Sequence, residues 1–140
     1  MGGQLPINLN RNNDLGRPLS FGEVDQNFNI INTSINNIQE VDSTIHTNHT
    51  LTFADAGKLL LIDTTSTPIT IMVPDYADVP FNVGQHFDIV QYGTNSVIIT
   101  NDKNGRINSF NSKTSTAGQY VGVTIINVAA DEWLLIGNLI

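Results

Sequence analysis

Cysteine, basic side chains and long apolar runs are missing or scarce in this chain of 140 residues. Without Cys, the chain has no disulfides, thiolate nucleophiles or Cys-ligated metal sites. Its six Lys and Arg residues are scattered and outnumbered by 13 Asp and Glu residues, which gives a net charge of −7. Because binding to phosphates requires clustered positive charge, this balance excludes general nucleic-acid binding. No apolar run is long enough to span a bilayer, so we expect no membrane insertion.

Uncharged polar residues are abundant instead, with 18 Asn and 14 Thr. Thr favours strands, and Asn favours turns and caps. Glu and Lys, which usually cover the surfaces of helices, are scarce. We therefore expect a mainly β protein with many tight connections, of a size that suits one ordinary domain.

Residues 1–19 contain isolated apolar side chains among Gly, Pro and Asn, and they sustain neither a helical nor a strand period. Such a segment cannot bury a core by itself. We interpret it as an extended arm that becomes ordered on a partner. The alternative is a frayed terminus.

A helix is predicted to begin at Ser20, because Ser20 and Glu23 form a capping box. The apolar residues that follow are spaced alternately three and four apart, which is the heptad pattern of a coiled coil. Ile at both core positions favours three strands or more. We therefore predict that residues 20–48 form a parallel trimeric coiled coil. Its trimerisation seam would consist of Phe21, Val24, Phe28, Ile31, Ile35, Ile38 and Ile45.

The same stripe could instead belong to an amphipathic helix docked on the chain's own β domain. The other faces of this helix are rich in Asn, Thr and Ser, which are mediocre helix formers. In either case the stability of the helix would have to come from burial of the stripe.

Residues 49–140 change to short β-branched or aromatic runs separated by turn residues. This spacing predicts a compact antiparallel β-sandwich or barrel head, with a type I′ turn at Asn104-Gly105. The predicted strands are Thr50–Phe53, Lys58–Asp63, Ile69–Val73, His86–Tyr92, Val97–Thr100, Ile107–Phe110, Tyr120–Val128 and Glu132–Gly137.

Few residues in the sequence suggest a catalytic or metal-binding site. His46 and His49 are three apart, and three copies of the pair could bind a metal on a trimer axis; two exposed histidines are the simpler interpretation. The carboxylates Asp75, Asp78 and Asp88 lie in or near one loop, where solvated acids are commoner than catalytic pairs. No nucleophile elbow, phosphate-binding loop or zinc-protease motif is present in the sequence. We expect no enzyme activity, no cofactor and no resident metal.

The stretch Gly16-Arg-Pro-Leu-Ser-Phe-Gly-Glu-Val-Asp-Gln-Asn-Phe-Asn29 resembles a segment near the N-termini of virion structural proteins of tailed bacteriophages. In that pattern, R-P-L-[ST]-x-x-E-V-D-x-N-F leads from a virion-bound arm into a trimeric stalk. The runs around Ile69–Pro74, Val83–Gln91 and Trp133–Gly137 look like the small β domains of phage fibres. Together these stretches cover about half of the chain.

The resemblance implies a virion location, with the arm attached to a phage capsid or tail protein, residues 20–45 trimerising, and the β head projecting outward. Because the chain has one small head, a short head fibre or decoration protein on the capsid is favoured over a tail fibre. Within the arm, apolar side chains would bury on the partner and Arg side chains would pair with its carboxylates. The implied attachment residues are Leu5, Ile7, Leu9, Arg11, Leu15, Arg17, Pro18 and Leu19.

Two other functions compete with this interpretation. A tail-associated fibre head could bind a host-surface glycan or receptor through Tyr76, Tyr92 and Tyr120 together with Asn and Asp side chains of the loops. A spike that cleaves polysaccharide would instead need a carboxylate pair in a groove.

Overall fold

The structure is a computed structural model that describes residues 38–140. Residues 39–140 form one compact unit. Its strands are β1 (Val41–Asp42), β2 (His49–Thr50), β3 (Leu59–Ile62), β4 (Ile69–Val73), β5 (His86–Gln91), β6 (Val97–Asn101), β7 (Arg106–Asn108), β8 (Gly122–Ala129) and β9 (Glu132–Gly137). Two single-turn 3₁₀ helices, Phe53–Asp55 and Phe110–Ser112, interrupt the loops. No helix within residues 38–140 has the length and apolarity needed to cross a bilayer.

The strands form two sheets. The larger has six strands in the order β1-β3-β5-β8-β9-β7, and the smaller has three in the order β2-β4-β6. From β1 to β6 the chain alternates between the sheets, so each return places a strand parallel to the previous one in its sheet. Parallel neighbours need a crossover connection, and here a strand of the opposite sheet provides it.

The mainly β prediction is confirmed, but the antiparallel pairing is wrong for five of the seven strand pairs. Among the named strands of residues 38–140, β5 with β8 and β8 with β9 are the antiparallel pairs. The turn at Asn104-Gly105 is not type I′, because neither residue has a positive φ. The reason is topological: β6 and β7 belong to different sheets, so this turn does not close a hairpin.

The core lies between the two sheets and follows the alternation of the strands. In β4, Ile69, Ile71 and Val73 point inward, and in β5 the inward residues include Phe87 and Ile89. At one end the rings of Phe81, Phe87 and Trp133 pack together, with centroids 5.2–6.0 Å apart. Such aromatic contacts add to the stabilisation from burial.

The predicted coiled coil is wrong for residues 38–48, which contain no helix. The backbone N–H of Leu59 donates to the carbonyl of Glu40 at 2.9 Å, which begins the pairing of β1 with β3. After β1, Asp42 accepts hydrogen bonds from the N–H and the hydroxyl of Thr44, at 2.9 and 2.7 Å. A local turn of this kind competes with helix formation. The β domain therefore begins at Gln39, ten residues before the predicted boundary at 49.

Candidate functional site

Five strands of the six-stranded sheet carry apolar side chains on its outer surface, and the outward side chains of His86, Asp88 and Thr124 divide these into two groups. Alternation along each strand directs one set of side chains to the core and the other set outward. The outward apolar residues, which we call the apolar face, are Val41, Leu59, Leu61, Val90, Ile126, Val128, Leu134 and Ile136. Ile136 is 51% exposed, and no described segment covers it.

The sequence itself marks this surface. Leu59–Ile62 in β3 and Trp133–Ile136 in β9 are uninterrupted apolar runs, a pattern typical of strands that are buried on both faces. The smaller sheet differs, because its outward residues are mainly threonines: Thr50, Thr70, Met72, Ile98 and Thr100. An alternating strand with threonine outward is what a solvated sheet requires.

The polar centre of the apolar face is Asp88. Its carboxylate accepts hydrogen bonds from the Thr124 hydroxyl and from the Gln39 side-chain amide, both at 2.7 Å. The same amide donates to the carbonyl of Gly57 at 3.2 Å. Gln39, the first residue of the compact unit, therefore lies against this face.

A cavity of about 290 Å³ adjoins the apolar face at β9. Phe110, Leu134 and Ile136 contribute side chains to its lining, and Phe110 is exposed. The cavity extends the apolar surface toward β7.

Tyr92 and Tyr120 form an exposed aromatic pair, with ring centroids 5.6 Å apart and an edge-on arrangement. The two side chains are 52% and 67% exposed. Tyr120 has a φ of 65°, a left-handed conformation that costs a residue with a Cβ about 1 kcal/mol. The Gln119 side-chain amide lies against the carbonyl of Tyr92 at 3.4 Å.

A buried polar network supports the tyrosine pair. The Thr116 hydroxyl donates to Gln91 at 2.5 Å, and Gln91 donates to the carbonyl of Gly93 at 3.0 Å. The N–H of Gly93 in turn donates to the Thr64 hydroxyl at 3.1 Å. Because these buried groups are paired, the network holds Gly93, the residue after Tyr92, against the loop that follows β3.

Of the three tyrosines predicted for a glycan site, the structure brings together two. Tyr92 follows the carboxyl end of β5, and Tyr120 precedes β8, which runs antiparallel to β5. Tyr76 lies at the opposite end, where its N–H donates to Asp131 in the turn after β8. The tyrosine pair is therefore at the end of the sheet away from Gln39, which precedes the amino end of β1.

The two histidines are engaged separately. Nε2 of His49 lies 2.8 Å from Oδ2 of the buried Asp55, which also accepts from the N–H and hydroxyl of Thr52. Nδ1 of His46 lies 2.9 Å from the carbonyl oxygen of Thr44. Both contacts have a structural explanation, and neither requires a metal.

The structure brings together two of the three acids named from the sequence, Asp75 and Asp78, and places Asp88 elsewhere. Asp75 and Asp78 lie close to Asp102, with carboxylate oxygens within 4.8 Å, whereas Asp88 belongs to the apolar face. Asp75 accepts from the N–H and side-chain amide of Asn104 at 3.1 and 3.0 Å, and Nζ of Lys103 is 3.8 Å away. These bonds hold the loop after β4 to the turn between β6 and β7.

Two of the predicted seam residues lie within the described part of the chain, and they differ. Ile38 is 82% exposed and is not in a helix. Ile45 is 7% exposed and belongs to the core of the β domain, so its assignment to the seam is wrong. The other seam residues and all of the predicted attachment residues, within 5–35, lie outside residues 38–140. The apolar face was not predicted from the sequence, although the uninterrupted apolar runs in β3 and β9 are a signal for it.

Neither a scan against protein-family models nor a search of curated proteins finds a match to this chain.

Proposed function

We propose that the chain is a non-enzymatic structural protein of a phage particle, a homotrimeric short fibre or decoration protein held on the capsid by its first 19 residues. The resemblance of residues 16–29 to the arm and stalk of phage virion proteins supports this function. The observation that carries the proposal is that the two ends of the large sheet carry different features. Gln39, the first residue of the compact unit, lies near one end of the large sheet, and the exposed tyrosine pair lies at the other.

A domain whose first residue and exposed tyrosine pair lie at opposite ends suits a head that projects from an anchored segment. Three arms held in one assembly would bind a particle by avidity, which gains about 10²- to 10⁴-fold over a single arm without new contacts. Each arm therefore needs only a weak site on the capsid.

The test uses fluorescently labelled protein and particles that lack it. Deletion of residues 1–19 is expected to abolish binding while the oligomeric mass stays that of three shortened chains. As a sharper comparison, Leu9→Asp and Leu15→Asp together are expected to abolish binding. Asn10→Asp and Asn12→Asp, which add the same charge to the same segment, are expected to retain it. Particles that still bind the deletion variant would refute the role of the arm.

Binding of a host-surface glycan by the head is a second candidate function, favoured by one observation. Tyr92 and Tyr120 are mutually packed and exposed, and the buried polar groups on either side of Tyr92 are hydrogen-bonded. Aromatic rings beside amide groups suit neutral polar ligands such as sugars.

A further inference from the structure

We propose that Asn104 is a site of intramolecular deamidation, and that the buried carboxylate of Asp75 protects its side-chain amide while the loop after β4 stays in place. The site is independent of the proposed homotrimer and of the tyrosine pair. It lies in the turn between β6 and β7, to which the proposed function assigns no role.

The reactive pair is Asn104 and Gly105, the one Asn-Gly sequence in the chain. In such a pair the backbone nitrogen of Gly can attack the side-chain amide carbon of Asn, because no Cβ shields the nitrogen. Asn104 is exposed, so water and hydroxide reach its amide. Among residues 38–140, no backbone oxygen accepts a hydrogen bond from the N–H of Gly105. The turn therefore presents both the nucleophile and the electrophile of a deamidation.

The reaction requires water as its only co-reactant. The nitrogen of Gly105 forms a bond to Cγ of Asn104 and loses its proton to a base in solution. The bond from Cγ to Nδ2 breaks, and Nδ2 takes a proton and leaves as ammonia. Water then opens the resulting succinimide ring, which gives aspartate or isoaspartate at position 104. One carboxylate replaces one amide, and nothing is oxidised or reduced.

Asp75 opposes the attack in two ways. Its buried carboxylate accepts from the N–H of Asn104 at 3.1 Å and from Nδ2 at 3.0 Å, so these two bonds restrain the Asn104 side chain. The intermediate formed by the attack is also anionic, and a carboxylate this close to the reacting amide disfavours it. Local opening of the loop after β4 removes both effects. The docked loop therefore protects an amide that the sequence makes labile.

Deamidation would also prevent the loop from docking again. An ionised carboxylate at position 104 accepts hydrogen bonds but cannot donate one to Asp75. It would join a group in which Asp75, Asp78 and Asp102 already have carboxylate oxygens within 4.8 Å of one another. Lys103, whose Nζ lies 3.8 Å from Asp75, supplies one positive charge from an exposed side chain. The modification is therefore a one-way release of the loop after β4 from the turn between β6 and β7.

The experiment incubates the full-length protein in mildly alkaline buffer and follows deamidation at each Asn by peptide mapping and mass spectrometry. We expect Asp75→Ala to accelerate deamidation of Asn104 at least about tenfold, since a hydrogen bond to a charged group is worth about one tenfold step or more. Asp78→Ala is the matched control, because it removes an exposed carboxylate of the same loop and leaves both bonds to Asp75 in place. It should change the rate by less than about threefold.

Two further measurements keep the test independent of the folding of Asp75→Ala, which the fluorescence of Trp133 checks. In the wild-type chain unfolded in guanidinium chloride, Asn104 should react at least about tenfold faster than in the folded chain. Asn104→Asp, which reproduces one product, should speed amide hydrogen exchange in residues 76–80, whereas Asn104→Gln should abolish the reaction at this position.

The outcomes that would overturn the proposal are distinct. Equal rates at Asn104 in the folded and unfolded wild-type chains, or in folded Asp75→Ala and the wild type, would overturn the protection by Asp75. Absence of deamidation at Asn104 even in the unfolded chain would overturn the site itself. Unchanged hydrogen exchange in Asn104→Asp would overturn the release of the loop.

Discussion

The carbonyl oxygen of Ile45 accepts a hydrogen bond from the backbone N–H of Asp63 at 2.9 Å. This bond ties the link between β1 and β2 to the residue that follows β3, and it places the Ile45 side chain in the core. The last residue assigned to the helical seam is thereby an integral part of the β domain.

Truncation of Ile45 should therefore destabilise the β domain itself. We expect Ile45→Ala to lower the free energy of unfolding by about 2–4 kcal/mol, because it leaves a cavity in a packed core. Ile38→Ala, at an exposed position, should change the stability of the β domain by less than about 0.5 kcal/mol. Urea unfolding followed by the fluorescence of Trp133, the one Trp of the chain and a buried residue, measures both. Equal losses for the two variants would contradict the placement of Ile45.

The strands with a clear local pattern could be predicted from the sequence. β4 and β9 have the predicted bounds, and β5 differs by one residue, because alternation and β-branched residues are local signals. β1 is not predicted, since two residues show no period, and the strand predicted at Thr50–Phe53 shares only Thr50 with β2. The parallel pairing of Val41 with Leu59 depends on contacts across the sheet, which no local pattern reports.

The candidate sites likewise combine residues that can be named from the sequence with positions that depend on strand direction and register. The exposed tyrosines could be named from the sequence, but the separation of Tyr76 from Tyr92 and Tyr120 follows from strand direction. The position of the apolar face depends on the register of five strands, which the sequence does not report. The uninterrupted apolar runs in β3 and β9 are its local signal, because such runs are typical of strands buried on both faces.

Thr116 joins two buried polar groups, and its replacement should be costly. Thr116→Val keeps the shape but removes the bonds to Gln91 and to the N–H of Val97, which are 2.5 and 2.9 Å long. We expect a loss of about 2–3 kcal/mol, because a buried donor and acceptor lose their partner. Thr67→Val, at an exposed position, serves as the control. In a double-mutant cycle with Gln91→Leu, the combined loss should be smaller than the sum of the two single losses; additive losses would argue against the network.

Gly93 lies where a side chain does not fit. A Cβ on this residue would overlap the backbone of Thr64 and Thr65, so Gly93→Ala should destabilise the domain by about 3 kcal/mol or more. Gly118→Ala is the matched control, because a Cβ there meets no atom within 4 Å. Thermal unfolding of both variants tests the difference. An unchanged midpoint for Gly93→Ala would show that the two loops are not held together as described.

The turn after β1 sets the acidity of Asp42. The hydroxyl of Thr44, followed by its N–H, lowers the pKa of this carboxyl below its ordinary value of 3.8. Because the folded pKa is lower than the unfolded one, the stabilisation is present above about pH 4. It is lost as the pH falls through the folded pKa. We expect Thr44→Val to raise the pKa of Asp42 in a carbon-detected NMR titration. In the same variant Asp63, whose pKa is lowered by Thr65, should not shift; a shift of both would point to a global change.

Glycan binding, if the head has this function, should depend on Tyr92 and Tyr120 and not on Tyr76. The C–H face of a sugar can stack on either ring, and each aromatic contact contributes about 0.5–1.5 kcal/mol. Tyr92→Ala and Tyr120→Ala should each weaken binding on a glycan array by about threefold to tenfold, and together by more. Tyr76→Ala removes an exposed tyrosine at the opposite end of the domain and should leave binding unchanged. Because Tyr120 has a φ of 65°, which Gly adopts readily, Tyr120→Gly should weaken binding as much as Tyr120→Ala does without lowering stability by more than about 1 kcal/mol. If the wild-type protein binds no glycan, or if only Tyr76→Ala impairs binding, the tyrosine pair is not the receptor site.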